Sequence, residues 1–562
     1  METAERLVAD LERLGVEYVF GYPGGRAIEL LEHVADSSLT FVRPRDEREA
    51  SVMAECYGRL TGDPGVLVGQ GPWIGSLGAL GQMEARLGSS PMVTITEASE
   101  RGDYATLAPY QCASGDYGGL DLSKALDAWT KEHWTPRSPT GTVRSLHLAF
   151  KHATAGRPGP TAVVLDGDAV TEAVPEDPVP PVWDATAQVR TWEARPTADD
   201  VAAAAEALAE ADRPVVVAGN GVHAAGAYDE LQAVAASYDA VVTTTYLGKS
   251  TLPETHERAA GVIGSFGHEG ANRVVSEADA LLVVGSRLNP MDTNWQAPEF
   301  IRPDEQTIVH ADVDARNAGW VYPADVGLVG DAAESLAALA AAAPDNGGDW
   351  ALDRAARARE SFHAPACDSD ASPVTPQRAA TEVEAVVDRE TVVTADSGNN
   401  RFWLLHYLQT PAVGTYLGSG GVGAMGWATP AAVAVAITTE RDAIAVTGDG
   451  GFAMTMTSVE TAVEYGAAPT VVVLNDTSVG MVRQTEGTTA GVEFHDTDFA
   501  AVAEGFGAVG TRVDRPDALA DALAAAKAAD HPHVIDVRID RDEAMADQLA
   551  SSFYESVGGL HE

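Results

Sequence analysis

Residues 443–482 read AIAVTGDGGFAMTMTSVETAVEYGAAPTVVVLNDTSVGMV. An apolar strand ends at Thr447, Gly448-Asp449-Gly450 makes a tight turn, and a helix follows to about Tyr465. A second apolar strand ends at Leu474, with Asn475-Asp476 just beyond it. Asp449 and Asp476 therefore leave the carboxyl ends of two strands, the edge at which open α/β sheets bind ligands. Carboxylates in that place suit a hard divalent cation, which prefers oxygen ligands. Such a cation bridges to a diphosphate, whose charge one helix N-terminus and a few amides only partly neutralise. Glycines on both sides of Asp449 let the backbone come close to the phosphates.

The same alternation of strand and helix runs outward over the whole chain, which predicts parallel sheets covered by helices. Residues 1–170 carry apolar strands at Tyr18–Gly21, Thr40–Val42, Gly65–Gly69, Met92–Thr96 and Thr161–Leu165. The Pro-rich, acidic stretch AVPEDPVPPVWD, residues 173–184, reads as an extended linker. Residues 190–343 carry strands at Pro214–Ala218, Ala240–Thr244, Ala280–Val284 and Thr307–Ala311, and a second linker, APDNGGDW, starts at Ala343. Residues 374–545 carry strands that include Thr391–Ala395, Ala443–Thr447, Thr470–Leu474 and His533–Val537. The fold class is thus α/β, with three open parallel-sheet domains, as a chain of 562 residues needs more than one core. The repeat is architectural, without strong self-similarity in sequence.

Charge narrows the function. Lys and Arg total 37 against 83 Asp and Glu, a formal net charge of −46, and the only lysines are Lys124, Lys131, Lys151, Lys249 and Lys527. Nucleic acid and anionic membrane surfaces are poor partners for such a chain. The acidity is spread over every segment rather than gathered in a tail, as in proteins of a salt-saturated cytoplasm, where salt screens self-repulsion. Cys56, Cys112 and Cys367 are odd in number, far apart and without a CxxC pair. They fit a reducing compartment better than a disulfide framework or a zinc site. The opening METAERLVADLERLGVEYVF lacks the basic start of a signal peptide, and no run of about 18 apolar residues appears. A cytoplasmic protein is expected.

The spacing of Gly-Asp-Gly, residues 451–474 and Asn475-Asp476 resembles the thiamine-diphosphate signature. The resemblance covers nearly the whole chain and is nearest to the acetolactate-synthase-like branch of thiamine-diphosphate enzymes. LGVEYVFGYPGG at 14–25, RPVVVAGNGV at 213–222, EADALLVVGSRL at 277–288 and LGSGGVGAMGWATPAA at 417–432 carry it. It implies a pyrimidine-binding, a central and a diphosphate-binding domain in that order. It also implies thiamine diphosphate and Mg2+ as cofactors.

The resemblance assigns roles residue by residue. In RPRDEREASVMAECYGRLTGDPGV, aligning Tyr57, Arg59, Thr61 and Gly62 makes Glu47 the acid that polarises the pyrimidine ring. That acid needs a largely apolar pocket to work near neutral pH. Asp46 stands where the family has His, and the run Arg45 to Glu49 by itself reads as solvated charge. Metal ligands carry over as Asp449, Asp476 and the Ser478 carbonyl, with Asn475 the competing ligand if the register slips by one. Met425 matches an apolar wedge between the cofactor rings, and the Gly423 carbonyl and Met425 amide match groups on the pyrimidine edge. Gly398, Asn399, Gly450, Gly451, Gly480 and Met481 complete the expected cofactor contacts.

The substrate side departs from the family. Gln111 aligns near the reacting carbons, but Cys112 replaces a Glu, Trp73 stands where Gly is usual, and Thr485 replaces a Trp. The RLNPMD segment at 287–292 alters the family's flavin-contacting run, so flavin (FAD) is an alternative that the residues disfavour. The expected function is decarboxylation of a 2-oxo acid with carboligation, in a homodimer or homotetramer with active sites at the subunit interface. The alternatives are a non-ligating decarboxylase of the benzoylformate type, and a cofactor-binding protein without catalysis. Keeping Glu47 with both metal carboxylates argues against the last.

The charge makes a prediction independent of any site. The screening length falls from about 30 Å at 0.01 M salt to about 3 Å at 1 M, so melting temperature and activity should both rise across that range. A melting temperature that stays flat would reject adaptation to high salt.

Overall fold

A computed structural model describes residues 1–98, 119–344 and 350–543. They form two compact units: Met1–Trp192 with Gly421–Ala424 and Val433–Thr439, and a larger unit with the rest. No described helix is long and apolar enough to cross a membrane.

The first unit is built on six strands: β1 Tyr18–Gly21, β2 Thr40–Val42, β3 Gly65–Gln70, β4 Met92–Ala98, β5 Glu132–Trp134 and β6 Pro160–Asp166. They pair in the order β2-β1-β3-β4-β6-β5, every pair parallel. One face packs on the N-terminal helix and Pro139–Thr154 through Leu7, Leu11, Val143 and Leu146. The Pro-rich stretch also rests here, since Val174 and Val182 pack against that core.

The larger unit holds two sheets. The central one has β7 Pro214–Ala218, β8 Val241–Thr244, β9 Ala259–Val262, β10 Ala280–Val284, β11 Thr307–Asp312 and β12 Val326–Val329. Its order, β12-β11-β10-β7-β8-β9, is that of the dinucleotide-binding doubly wound fold. Apolar clusters cover both faces, which is why its inner strands read as unbroken Val/Leu runs. The third sheet has β13 Thr391–Ala395, β14 Tyr416–Gly418, β15 Asp442–Gly448, β16 Thr470–Asn475, β17 Val509–Val513 and β18 His533–Arg538. Its order, β14-β13-β15-β16-β18-β17, repeats that of the first sheet position by position.

The three-sheet α/β reading holds, and the expected strands lie within a residue or two of their places. The sequence did not signal β5, β9, β12, β14 and β17. All five are sheet edges, paired on one side only.

Within the larger unit the central and third sheets share a core. Phe266 stacks on Phe402 with ring centroids 3.8 Å apart. The buried His268 and His406 rings each bond a backbone carbonyl beside the other, His406 O and Phe266 O, at 3.0 Å. Lys249 pairs with Glu254 at 2.9 Å in the interior, and Glu254 also accepts from the Thr410 amide at 2.9 Å. Two other lysines are also tied down. Lys131 donates to three carbonyls, those of His152, Ala155 and Arg157, and Lys527 bridges Asp388 and Asp442.

Candidate metal and diphosphate site

In the third sheet the chain leaves β13 toward β14 on one side and β15 on the other, so the strand order reverses between β13 and β15. The crevice beyond such a switch point is where open sheets bind ligands. Three strand ends meet there: Asp396–Asn400 after β13, Gly448–Gly451 after β15, and Asp476–Ser478 after β16.

Asp449 opens a helix, Asp449–Thr455, directly from β15. It is 4% exposed. Its Oδ1 accepts from the Gly450 amide at 2.8 Å, while its Oδ2 is buried with no hydrogen-bond partner among the described residues. Burial first, then the charge of Asp476, pushes the Asp449 carboxyl up to about 7. Asp476 is also buried, and its two oxygens accept from the amide and hydroxyl of Ser478, each at 2.9 Å. Burial raises its carboxyl as well. An orphaned carboxylate oxygen beside a second carboxylate is an unfavourable arrangement that a cation relieves.

Asn475 points elsewhere. Its side chain donates to Asp536 at 2.8 Å and accepts from Arg538 at 2.9 Å. No cluster of three acidic, His or Cys side chains is formed among the described residues. A metal here would therefore rest on two carboxylates plus backbone and phosphate oxygens, the usual manner for Mg2+.

Glycines shape the floor. A Cβ at Gly450 would lie 3.0 Å from Met425 Cε and from the Phe494 ring, and one at Gly480 would lie 2.5 Å from Asp476 Oδ2. Asn399 donates to Gln484 at 3.0 Å, which joins the helix Asn399–Tyr407 to the helix Gly480–Glu486. Gly398 precedes it at φ +114°, a conformation that L side chains rarely adopt. Gly398, Asn399, Met425, Gly450, Gly451, Asp449, Asp476, Ser478 and Gly480 thus all belong to this edge. Next to Gly480, the Met481 side chain packs on the hydrophobic core. The residues fit a metal-bridged diphosphate.

In the first unit, Glu47 opens the helix Glu47–Thr61 after β2. Asp46 is its N-cap, accepting from the Glu49 amide at 2.9 Å, and the Glu49 carboxylate accepts from the Arg45 amide at 3.1 Å. The departure from His therefore supplies a helix cap. Glu47 is 7% exposed, not solvated as the charge run alone suggests. Burial, then the charge of Asp46, raises its carboxyl.

One group in this unit had no signal in the sequence. Glu84 accepts from the amides of Gly421 and Val422 at 2.6 and 2.8 Å, next to Gly423. Arg59 pairs with Glu84 at 3.1 Å and with Glu55 at 2.6 Å. Trp73 is half exposed and donates to Gln70 at 3.1 Å. Gln111, Cys112 and the Thr485 side chain lie outside the described residues.

The altered RLNPMD segment at 287–292 lies against the loop after β9. The Ser265 amide donates to Met291 O at 2.8 Å, and its hydroxyl to Asn294 at 3.1 Å. At the switch point of the central sheet, a Cβ at Gly285 would lie 2.5 Å from Gly221 Cα.

Comparison with known proteins gives a consistent assignment to each sheet. Family models described as thiamine pyrophosphate enzyme N-terminal TPP binding domain, central domain and C-terminal TPP binding domain match residues 1–117, 201–339 and 396–537. A probable acetolactate synthase large subunit of Methanocaldococcus jannaschii is 31% identical, over 96% of this chain and 92% of its own. The acetolactate synthase large subunit of Corynebacterium glutamicum is 30% identical over 95% and 86%. The acetolactate synthase isozyme 3 large subunit of Escherichia coli is 28% identical over 93% and 92%.

The carboxylate pair predicts a reversed stability effect. Asp449 takes its proton at about 7 in the folded chain against an ordinary value of 3.8. The native state thus holds the extra proton, and the metal-free protein loses stability as pH rises between those values, with the full penalty above about 7. With a chelator present, Asp449→Asn should melt above wild type at pH 8, and the gap should close toward pH 4. Mg2+ with inorganic pyrophosphate should raise the melting temperature of wild type but not of the variant. A variant that melts lower at pH 8, or still responds to the ion pair, would count against the site.

Proposed function

The chain belongs to the thiamine pyrophosphate enzymes, and from that premise we propose that it decarboxylates a 2-oxo acid and joins the remaining fragment to a second one, as an acetolactate synthase does. The observation that carries this is the buried Asp449 Oδ2, without a partner among the described residues, at the switch-point edge of the third sheet. Asp449, Asp476 and the Ser478 carbonyl would hold Mg2+ and, through it, the diphosphate. Gly398, Asn399, Gly450, Gly451, Gly480 and Met481 would bring backbone up to it. Met425 and Gly423 would bracket the rings. When bound, thiamine diphosphate supplies the electron sink for the carbanion left by decarboxylation.

Glu47 would act at the pyrimidine N1′. A carboxyl kept from water holds its proton more tightly, so it can share it with a ring nitrogen near neutral pH. The helix N-terminus at which it stands favours the ionised form only in part, since Asp46 and Glu49 already occupy that end. We further propose a homodimer or homotetramer, in a salt-rich cytoplasm, whose sites lie at the subunit interface. Glu47 would there serve the cofactor held by the partner chain.

Glu47→Gln should lower kcat by about 10²–10⁴-fold while the variant still binds the cofactor. Mixing it with Asp449→Asn chains should restore part of the activity, because one mixed site keeps both groups. Wild-type turnover by Glu47→Gln would reduce Glu47 to a structural charge.

Product analysis tests the reaction itself. Pyruvate with thiamine diphosphate and Mg2+ should yield acetolactate. With pyruvate and 2-oxobutyrate supplied equally, acetolactate should dominate, because Thr485 lacks the apolar contact of a Trp and a methylene is worth only about 1–3 kcal/mol. Acetaldehyde as sole product would favour the simple decarboxylase, and no consumption of any 2-oxo acid would overturn the proposal.

A further inference from the structure

Asp396 follows β13 and is fully buried, yet no cation pairs with it in the described structure. Its carboxylate is satisfied by four donors. Oδ1 accepts from the amides of Ser397 at 2.9 Å and Trp427 at 3.2 Å. Oδ2 accepts from the amide of Gly426 at 2.9 Å and the hydroxyl of Thr447 at 2.7 Å. The same oxygen lies where a Cβ on Gly451 would have to go, with Thr447 Oγ1 2.7 Å from that point. One carboxylate therefore touches the turn that carries Asp449 and holds the two amides that follow Met425. Met425 in turn lies against Gly450.

We propose that Asp396 is a positioning residue that sets Met425 in register with the Asp449–Gly451 turn, so that the ring end and the diphosphate end of one ligand are held together. This rests on the thiamine-diphosphate reading above. The hydrogen-bond inventory shows why a carboxylate is needed. All four neighbours donate, and a carboxylate is the side-chain group of this size that only accepts. In Asp396→Asn the amide oxygen must stay at Oδ1, where two backbone N–H groups meet it. The amide nitrogen then sits at Oδ2. Thr447 can turn its hydroxyl to accept, but the Gly426 N–H cannot turn and is left facing another donor. The volume against Gly451 is unchanged. The substitution thus loosens the Met425 side of the site and leaves the metal turn in place.

The experiment compares two ligands on the full-length protein. Mg2+ with inorganic pyrophosphate probes the metal turn alone, and Mg2+ with thiamine diphosphate probes the turn and the ring contacts together. Asp396→Asn should weaken thiamine diphosphate about 10-fold and leave pyrophosphate within about 2-fold of wild type, with kcat lowered and KM for pyruvate unchanged. Thr447→Val keeps the Gly426 bond and removes one donor. It should lower thiamine diphosphate affinity about 2–3-fold in the same selective way, and it carries the test if Asp396→Asn does not fold. An equal loss for both ligands, or no loss for either, would overturn the positioning role alone. A wild-type protein that binds pyrophosphate but not thiamine diphosphate would overturn the reading beneath it as well.

Discussion

Asp449 and Asp476 stand at the carboxyl ends of neighbouring strands, nearly closed off from water, with one oxygen of Asp449 left without a donor among the described residues. Burial beside a like charge is a cost, and it raises the proton affinity of Asp449. What holds the arrangement is the sheet behind it. β15 and β16 are flanked on both sides by strands of the same sheet, so their ends cannot spread apart to relieve the repulsion. A central pair of parallel strands is a rigid place to keep an unfavourable charge arrangement until a ligand resolves it.

Acidic groups play three separate parts in this chain. On the surface they are abundant, and lysine is nearly absent from it. Lys249, Lys131 and Lys527 survive where each satisfies specific carboxylates or carbonyls. Inside, Asp396 and Glu84 hold pairs of consecutive backbone amides. In the crevice, Asp449 keeps one oxygen that finds no donor among the described residues, beside the charge of Asp476. Net charge alone does not separate these parts. Each is set by what donates to the carboxylate, and a count of Asp and Glu is silent on that.

The first and third sheets share one strand order, while the central sheet has another. In the third sheet the residues singled out for function follow the two strands between which the order reverses, Asp396 after β13 and Asp449 after β15, while in the first sheet Glu47 follows the edge strand β2. In the central sheet the corresponding glycine turns, Gly219–Gly221 and Gly285, pack tightly on one another. Similar layering thus carries different strand ends, carboxylates beside glycines in one case and glycines packed on glycines in the other.

The sequence by itself determined the three parallel sheets and their inner strands, because a strand buried on both faces must be apolar along its whole length, as Val215–Val217 and Val471–Val473 are. It also placed Asp449 and Asp476 at strand ends, since Gly-Asp-Gly and Asn-Asp stand just where the apolar runs stop. Edge strands such as Tyr416–Gly418 and Glu132–Trp134 were not legible, because pairing on one side asks for neither length nor a continuous apolar run. Only the tertiary structure decided that Glu47 is buried within a run of five charged residues, that Asp46 caps its helix, and that Asn475 turns to Arg538. It alone brought Asp396 to Gly426 and Trp427, thirty and thirty-one residues away. Local pattern records which side of a strand or helix is apolar. Whether a given carboxylate finds donors, a like charge or nothing depends on chain segments far apart in sequence, and only folding brings those together.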